Sequence, residues 1–298
     1  MNRVARRLAV LLFALCFAWP VIAQNAQVEH LLLRRVTCGD SIVYLLGSVH
    51  VAKPDIYPLN DYVENAFSQS VRLVVETDIR VLDQAALQRK IFSLGVLPAG
   101  RTLRGELGAT DAERLEAMLS ELGLSAASLD RFRPWVIYTL LAALDMARLG
   151  YDSKNGVDLH FLQRVGDRKI MELETADFQV ELLAGFTDQE QRALLVEYLD
   201  ERGKLEKEIG ALFDAWLVGD DARMAEILEA EMSGAPADQR VKELVLRKRN
   251  AAMAEKIEGL LKLPGTSFVV VGAAHLCGKG SVVDILKRDG YEMTTVRE

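Results

Sequence analysis

The chain has 298 residues, 50% hydrophobic and 27% charged, an ordinary globular composition with ample material for a core. Its net charge of −7 argues against nucleic acid or anionic lipid as a partner, since both call for a basic surface. Three cysteines are too few for a disulfide framework, and a Cys38–Cys277 bond is not expected.

Residues 1–23 read as a secretory signal peptide. Arg3, Arg6 and Arg7 form a positive start, Leu8 to Trp19 a short apolar run, and Val21-Ile22-Ala23 a small-residue cleavage site. The run is shorter than the ~20 residues a membrane span needs, so export to the periplasm or medium is expected, with no stable span after cleavage. The mature domain is then 24–298, and losing three arginines makes it more acidic still.

Leu31 to Val36 and Ile42 to Leu46 flank Cys38-Gly39-Asp40-Ser41 and read as a β-hairpin. Asn60 or Asp61 caps a short helix ending near Ser70, and Val71 to Glu76 is a buried strand. From about Asp83 to Gly150 the pattern is helical, including a helix opened by Pro134 that is apolar on most faces. Asn155 to Val165 is a helix and Lys169 to Leu173 a short strand. Asp177 to about Met232 is helical, broken near Gly185-Phe186-Thr187 and Gly219-Asp220. Asp238 to Leu263 is one helix, stopped by Pro264-Gly265. Ser267 to Val271 is a strand, Gly278 to Asp289 a helix and Tyr291 to Val296 a last strand. The sum is an α/β fold. Its central sheet comes from βα units at both ends of the chain, with a largely helical middle insertion over about 83–262.

Two segments repeat one another. Tyr44-Leu45-Leu46-Gly47-Ser48-Val49-His50 matches Val269-Val270-Val271-Gly272-Ala273-Ala274-His275, each an apolar strand followed by Gly-x-x-His. Ligands of open α/β sheets bind beyond the carboxyl ends of the strands, and glycine there permits close backbone approach. The repeat holds two of the four histidines, so His50 and His275 are expected to share a site. Two neutral imidazoles suit a divalent ion such as zinc, manganese or cobalt. Glu76, an acid closing an apolar strand, is the third candidate, as ligand or as base. His30 and His160 sit in less distinctive contexts.

With these motifs the sequence resembles the TraB/GumN family, related to the Tiki metalloproteases. The resemblance runs through LLGSVHVAKPDIYPL, VVETD, Arg133-Pro134-Trp135, Asn155-Gly156-Val157-Asp158 and LETADFQ. It continues through Trp216-Leu217-Val218-Gly219-Asp220, Arg249-Asn250 and VVVGAAHLCGKGSVVDILKRDGY. It implies an α/β fold with two Gly-x-x-His motifs framing the site. Tiki-type members are described as metal-dependent proteases, and the wider superfamily includes erythromycin-esterase-like hydrolases and haem- or iron-binding proteins resembling ChaN. By position, His50, His275 and Glu76 are the motif residues, and Arg249 and Glu174 line the cleft. Gly47, Ser48, Asn250 and Gly272 adjoin it. Cys277 and Ser281 depart from the usual residues after the second histidine.

The functional expectation is an exported metal-dependent hydrolase of peptide, amide or ester bonds. In it His50, His275 and Glu76 hold the metal and Arg249 stabilises developing oxyanion charge. The alternative is a non-catalytic protein binding haem, metal or a peptide signal with the same residues.

Overall fold

The computed structural model describes residues 30–231 and 240–297. The leader assigned to residues 1–23 lies outside them, as do Met232 and the start of the helix expected from Asp238. Six strands form one sheet in the order β4-β3-β5-β2-β1-β6. They are β1 (Leu33–Cys38), β2 (Ser41–Ser48), β3 (Arg72–Val75), β4 (Lys169–Glu172), β5 (Gly265–Gly272) and β6 (Met293–Thr295). The first two make the expected hairpin, with Gly39 at φ 54 in its turn, where a Cβ would be strained. From β2 through β5 and β3 to β4 the strands run parallel; β1 is antiparallel to β2, and β6 to β1.

The central strands are apolar throughout because both faces of the sheet are covered. Phe268 and Val270 of β5, with Tyr44, Leu46, Leu73 and Val75, face the larger helical layer. Val269 and Val271, with Val43, Leu45 and Val74, face a smaller one that supplies Met253, Ile257, Leu260, Val282 and Leu286. This arrangement is the expected α/β class with a helical middle region. Within that region β4 returns to the sheet and pairs with β3.

The boundaries differ from the sequence reading where glycine or a wide turn intervenes. The helical stretch after Asp83 is five helices: Gln84–Gly95, Leu103–Leu107, Ala109–Glu121, Ala126–Leu129 and Pro134–Arg148. The helix expected from Gly278 begins at Val282, because Gly278 and Gly280 take φ of 78° and 76° and Ser281 caps the helix. A π-type turn at Glu243–Arg247 precedes the helix Lys248–Leu261 and sets the phase of Arg249. Beyond Gly185 and Gly219, a further break at Arg202–Lys204 separates Asp188–Glu201 from Leu205–Leu217.

Three adjacent parallel strands, β3, β5 and β2, end together. Their register pairs Ser48 with Gly272 and Val75 with Val270. The residues just beyond them, His50, Glu76 and His275, are therefore delivered to one edge of the sheet.

Candidate active site

Glu76 is the hub. Its Oε1 accepts the Gly272 backbone N–H at 2.7 Å, and its Oε2 accepts Arg249 Nη2 at 2.8 Å. His50 Nε2 lies 3.8 Å and His275 Nε2 3.9 Å from Oε1. Glu76 is 3% exposed, His275 3% and Arg249 2%.

Each imidazole is held from behind. His50 Nδ1 is 3.0 Å from Asp158 Oδ2, and Ser48 Oγ donates to Asp158 Oδ1 at 3.0 Å. His275 Nδ1 is 2.6 Å from Asn250 Oδ1, whose own amide donates to Gly280 O at 2.8 Å. With its N–H₂ engaged there, Asn250 offers its oxygen, so His275 carries its proton on Nδ1 and turns the Nε2 lone pair toward Glu76. Partners of this kind orient histidines that bind metals or move protons.

Arg249 spans two acids. Besides Glu76 it donates Nε to Glu174 Oε1 and Nη2 to Glu174 Oε2, both at 2.7 Å, and Nη1 to Val245 O at 3.3 Å. Gln179 bridges the same two carboxylates more loosely, at 3.4 and 3.3 Å. The Nε and Nη2 donors of Arg249 are directed to these two carboxylates, which it holds in place.

The charges follow. Burial opposes ionisation of Glu76, but Arg249 and the two histidines outweigh it and hold the carboxyl down at about 2. Held down in this way, the Glu76 carboxyl stays ionised and offers its oxygens as acceptors. Burial also opposes charge on His50, yet the Asp158 carboxylate carries its pKa up to about 9. His275 is pushed down to about 3 by burial and by Arg249, so it stays neutral.

Glycines give the site its room. A Cβ on Gly272 would stand 3.3 Å from Glu76 Oε1, 3.5 Å from His50 Nε2 and 3.6 Å from His275 Cδ2. All three functional side chains thus border one point that only glycine leaves open. The backbone there, at φ −50° and ψ 132°, suits any residue. Gly272→Ala is therefore expected to fold with a stability within about 1 kcal/mol of the parent. It should lose ligand binding at the centre, measured by a thermal melt alongside a zinc titration. Gly47 allows another close approach: its Cβ would meet Ala273 Cα at 3.2 Å.

The TraB/PrgY/gumN family matches residues 32–295, nearly all of the described chain. The chain belongs to this family. It is 28% identical over 258 residues to an uncharacterized protein of Treponema pallidum, covering 83% of this chain and 77% of that one. It is 25% identical over 251 residues to the uncharacterized protein YbaP of Escherichia coli, covering 84% of this chain and 89% of that one. No solved structure matches significantly.

The structure of this family member brings together His50, His275, Glu76, Arg249, Glu174, Asn250, Ser48, Gly47 and Gly272. It leaves His160 elsewhere, beside Glu64 and Arg164, and His30 makes a backbone bond to Leu217. Cys38 and Cys277 are free thiols, the first exposed and the second buried with its pKa pushed up to about 12 by that burial.

Asp158 was visible only as part of the Asn-Gly-Val-Asp motif, with no role attached. Its placement rests on Gly156, whose Cβ would lie 2.3 Å from His50 O, and on the Val157 N–H to Val49 O bond of 3.0 Å. Glycine lets the two segments touch, and Asp158 follows at the start of the helix Val157–Gln163. Asp158→Asn keeps the shape and removes the charge. The His50 pKa is expected to fall from about 9 toward its ordinary 6.5, as read by NMR titration of the imidazole. Thr77 was also missed: it is buried next to Glu76, lines the same cavity, and its hydroxyl has no partner among the described residues.

Among the described residues no group of three His, Cys, Asp or Glu side chains is already closed around a metal-sized point. His50 Nε2 and His275 Nε2 each approach Glu76 Oε1. Ligands at ~2.1 Å from a tetrahedral ion stand ~3.4 Å apart, so the 3.8 and 3.9 Å separations need an inward shift of a few tenths of an ångström. The donor types and their outer partners fit a divalent ion.

Proposed function

We propose that this protein is a metal-dependent hydrolase of peptide, other amide or ester bonds, with His50, His275 and Glu76 holding a divalent ion. The observation that carries the reading is the convergence of two outward-braced imidazole Nε2 atoms on one carboxylate oxygen, around a point kept open by Gly272. Charge supports it. Three carboxylates, Glu76, Glu174 and Asp158, face one guanidinium and a His50 raised to about 9, so the cluster keeps an excess of negative charge that attracts a cation.

When bound, such an ion supplies Lewis acidity toward a carbonyl and lowers the pKa of a water. The chain's own residues do the rest. Arg249 and the Gly272 N–H fix the Glu76 carboxylate, leaving it no freedom to rotate. Asn250 fixes the His275 tautomer. Asp158 orients His50, which must release its Nε2 proton to act as a ligand. Thr77 and Gln179 line a cavity of about 20 Å³ on one side of His50, enough for a water. The cavity on its other side is about 30 Å³. Spaces of this size favour a single ion and its water over haem, which needs a pocket of several hundred Å³.

The test is metal analysis of the purified protein followed by zinc titration. The expected result is one ion per chain, with peptidase or esterase activity lost on chelation and restored by metal. A protein that takes up no zinc, manganese or cobalt sinks the reading. The leader reading of residues 1–23 predicts that secreted material begins at or near Gln24 by N-terminal sequencing. Among the described residues no helix is long and apolar enough to cross a membrane.

A further inference from the structure

The cleft is asymmetric about His50. On one side Glu76, Thr77, Ser153, Asp158 and Gln179 stand with Ile79 and Leu159, a wall of mixed polar and apolar character. On the other, Leu212, Phe213, Trp216, Met224 and Leu228 form an apolar hood that closes against Ala273, Ala274 and both imidazoles. His50 is the residue common to both walls.

The hood is built from two helices, Leu205–Leu217 and Asp221–Glu231, which meet at Gly219 with φ 64°. It is fixed to the sheet: Trp216 Nε1 donates to Gly47 O at 2.9 Å, the carbonyl of the glycine that opens the first Gly-x-x-His motif near the end of β2. Phe213 packs on Tyr151 with ring centroids 4.3 Å apart. These contacts make the hood a fixed wall whose size can be read. At the ~10–15 Å³ that one water occupies by this measure, a 30 Å³ space holds about two waters, roughly the bulk of an isopropyl group.

We infer that the hood is a specificity subsite for a small aliphatic substituent next to the scissile carbonyl, alanine- to valine-sized, and that it excludes aromatic and acidic groups. The inference rests on the hydrolase reading for its purpose. Its physical content, a small apolar subsite contiguous with His50 and His275, stands apart from the metal. Burying an isopropyl group there removes apolar surface from water without displacing a protein hydrogen bond. A carboxylate in the same place would be desolvated among apolar side chains and near the Glu76 charge. A phenyl ring exceeds the space, and the packed hood resists enlargement.

The test uses the full metal-free chain with its methionine methyl groups labelled and observed by NMR. The Met224 signal is assigned by the volume-conserving Met224→Leu variant. The probes are acetamide, isobutyramide, phenylacetamide and succinamate. Isobutyramide is expected to shift the Met224 signal saturably, with an affinity at least tenfold above that of acetamide, while phenylacetamide and succinamate leave it unmoved at the same concentration. Leu228→Phe fills the cavity and should weaken isobutyramide at least tenfold. If that variant fails to fold, the probe series on the parent chain still decides. Equal responses to all four amides, or none to isobutyramide, overturn the subsite. Zinc uptake is measured separately: uptake without isobutyramide selectivity overturns the subsite alone, and selectivity without uptake overturns the hydrolase reading alone.

Discussion

Arg249→Ala is expected to remove about 3–5 kcal/mol of stability, a large part of the 5–15 kcal/mol that holds a typical domain together. The guanidinium is the only cationic side chain hydrogen-bonded to Glu76 and Glu174 among the described residues, and both acids are buried. Its loss leaves two carboxylates desolvated without compensation. Arg249→Lys should restore little, because an ammonium group cannot reproduce a fork that grips two carboxylates. The sign of the pH dependence makes the cause testable. In the parent, the depressed Glu76 pKa contributes stability that is present above the unfolded value of 4.5 and is lost as pH falls toward about 2. In Arg249→Ala the uncompensated carboxyl has a raised pKa, so acid relieves its penalty. The gap between the two proteins should therefore narrow from pH 7 to pH 4 in urea unfolding. A constant gap would mean that Arg249 stabilises by packing, not by charge.

His275→Ala is expected to produce the contrasting result: activity reduced by about 10²–10⁴-fold, the range for losing a group that acts on reacting atoms, with the fold retained. The cost to stability is a cavity and an unpaired Asn250 oxygen, about 1–3 kcal/mol. His50→Ala should behave likewise. Zinc uptake should vanish in both, as read by calorimetry. Glu76→Gln is a harsher change than its isosteric shape suggests. One Glu76 oxygen accepts a backbone N–H and the other a guanidinium N–H, so an amide must set its own N–H₂ against a donor in either orientation. Stability and metal binding should fall together, which separates neither role of Glu76. Among the wild-type site residues, His275 loses stability as pH falls from 6.5 toward 3, whereas His50 loses it as pH rises from 6.5 through about 9. The centre is therefore most stabilising near pH 6.5.

The sheet and the pairing of the two histidines were legible because they are written locally. A strand buried on both faces must be apolar, and a Gly-x-x-His at the end of each of two such strands survives in the sequence as a repeat. The acid at the end of Val71-Arg72-Leu73-Val74-Val75-Glu76 stood out for the same reason. Asp158 did not, since its importance comes from His50 lying over Gly156 across a separation of about a hundred residues. The engagement of Arg249 was hidden too. A lone arginine on a helix looks alike whether it faces solvent or two buried carboxylates, and the π-type turn that aims it has no sequence signature. The cleft walls were not assigned, because Trp216 entered only as part of a resembling motif and Met224 carries no local signal.

The position of β5 carries a consequence for how the molecule comes into being. It is the fifth of the six strands in chain order, yet it lies between β2 and β3 and bonds to both. A chain that stops before Gly265 has a hairpin and a pair of parallel strands with nothing to join them, and it lacks His275. Because contacts this distant in sequence close late, the emerging polypeptide passes through synthesis without a working centre. The proposed site is thus assembled from strands far apart in sequence, and a chain shortened before Gly265 should lack it as a whole.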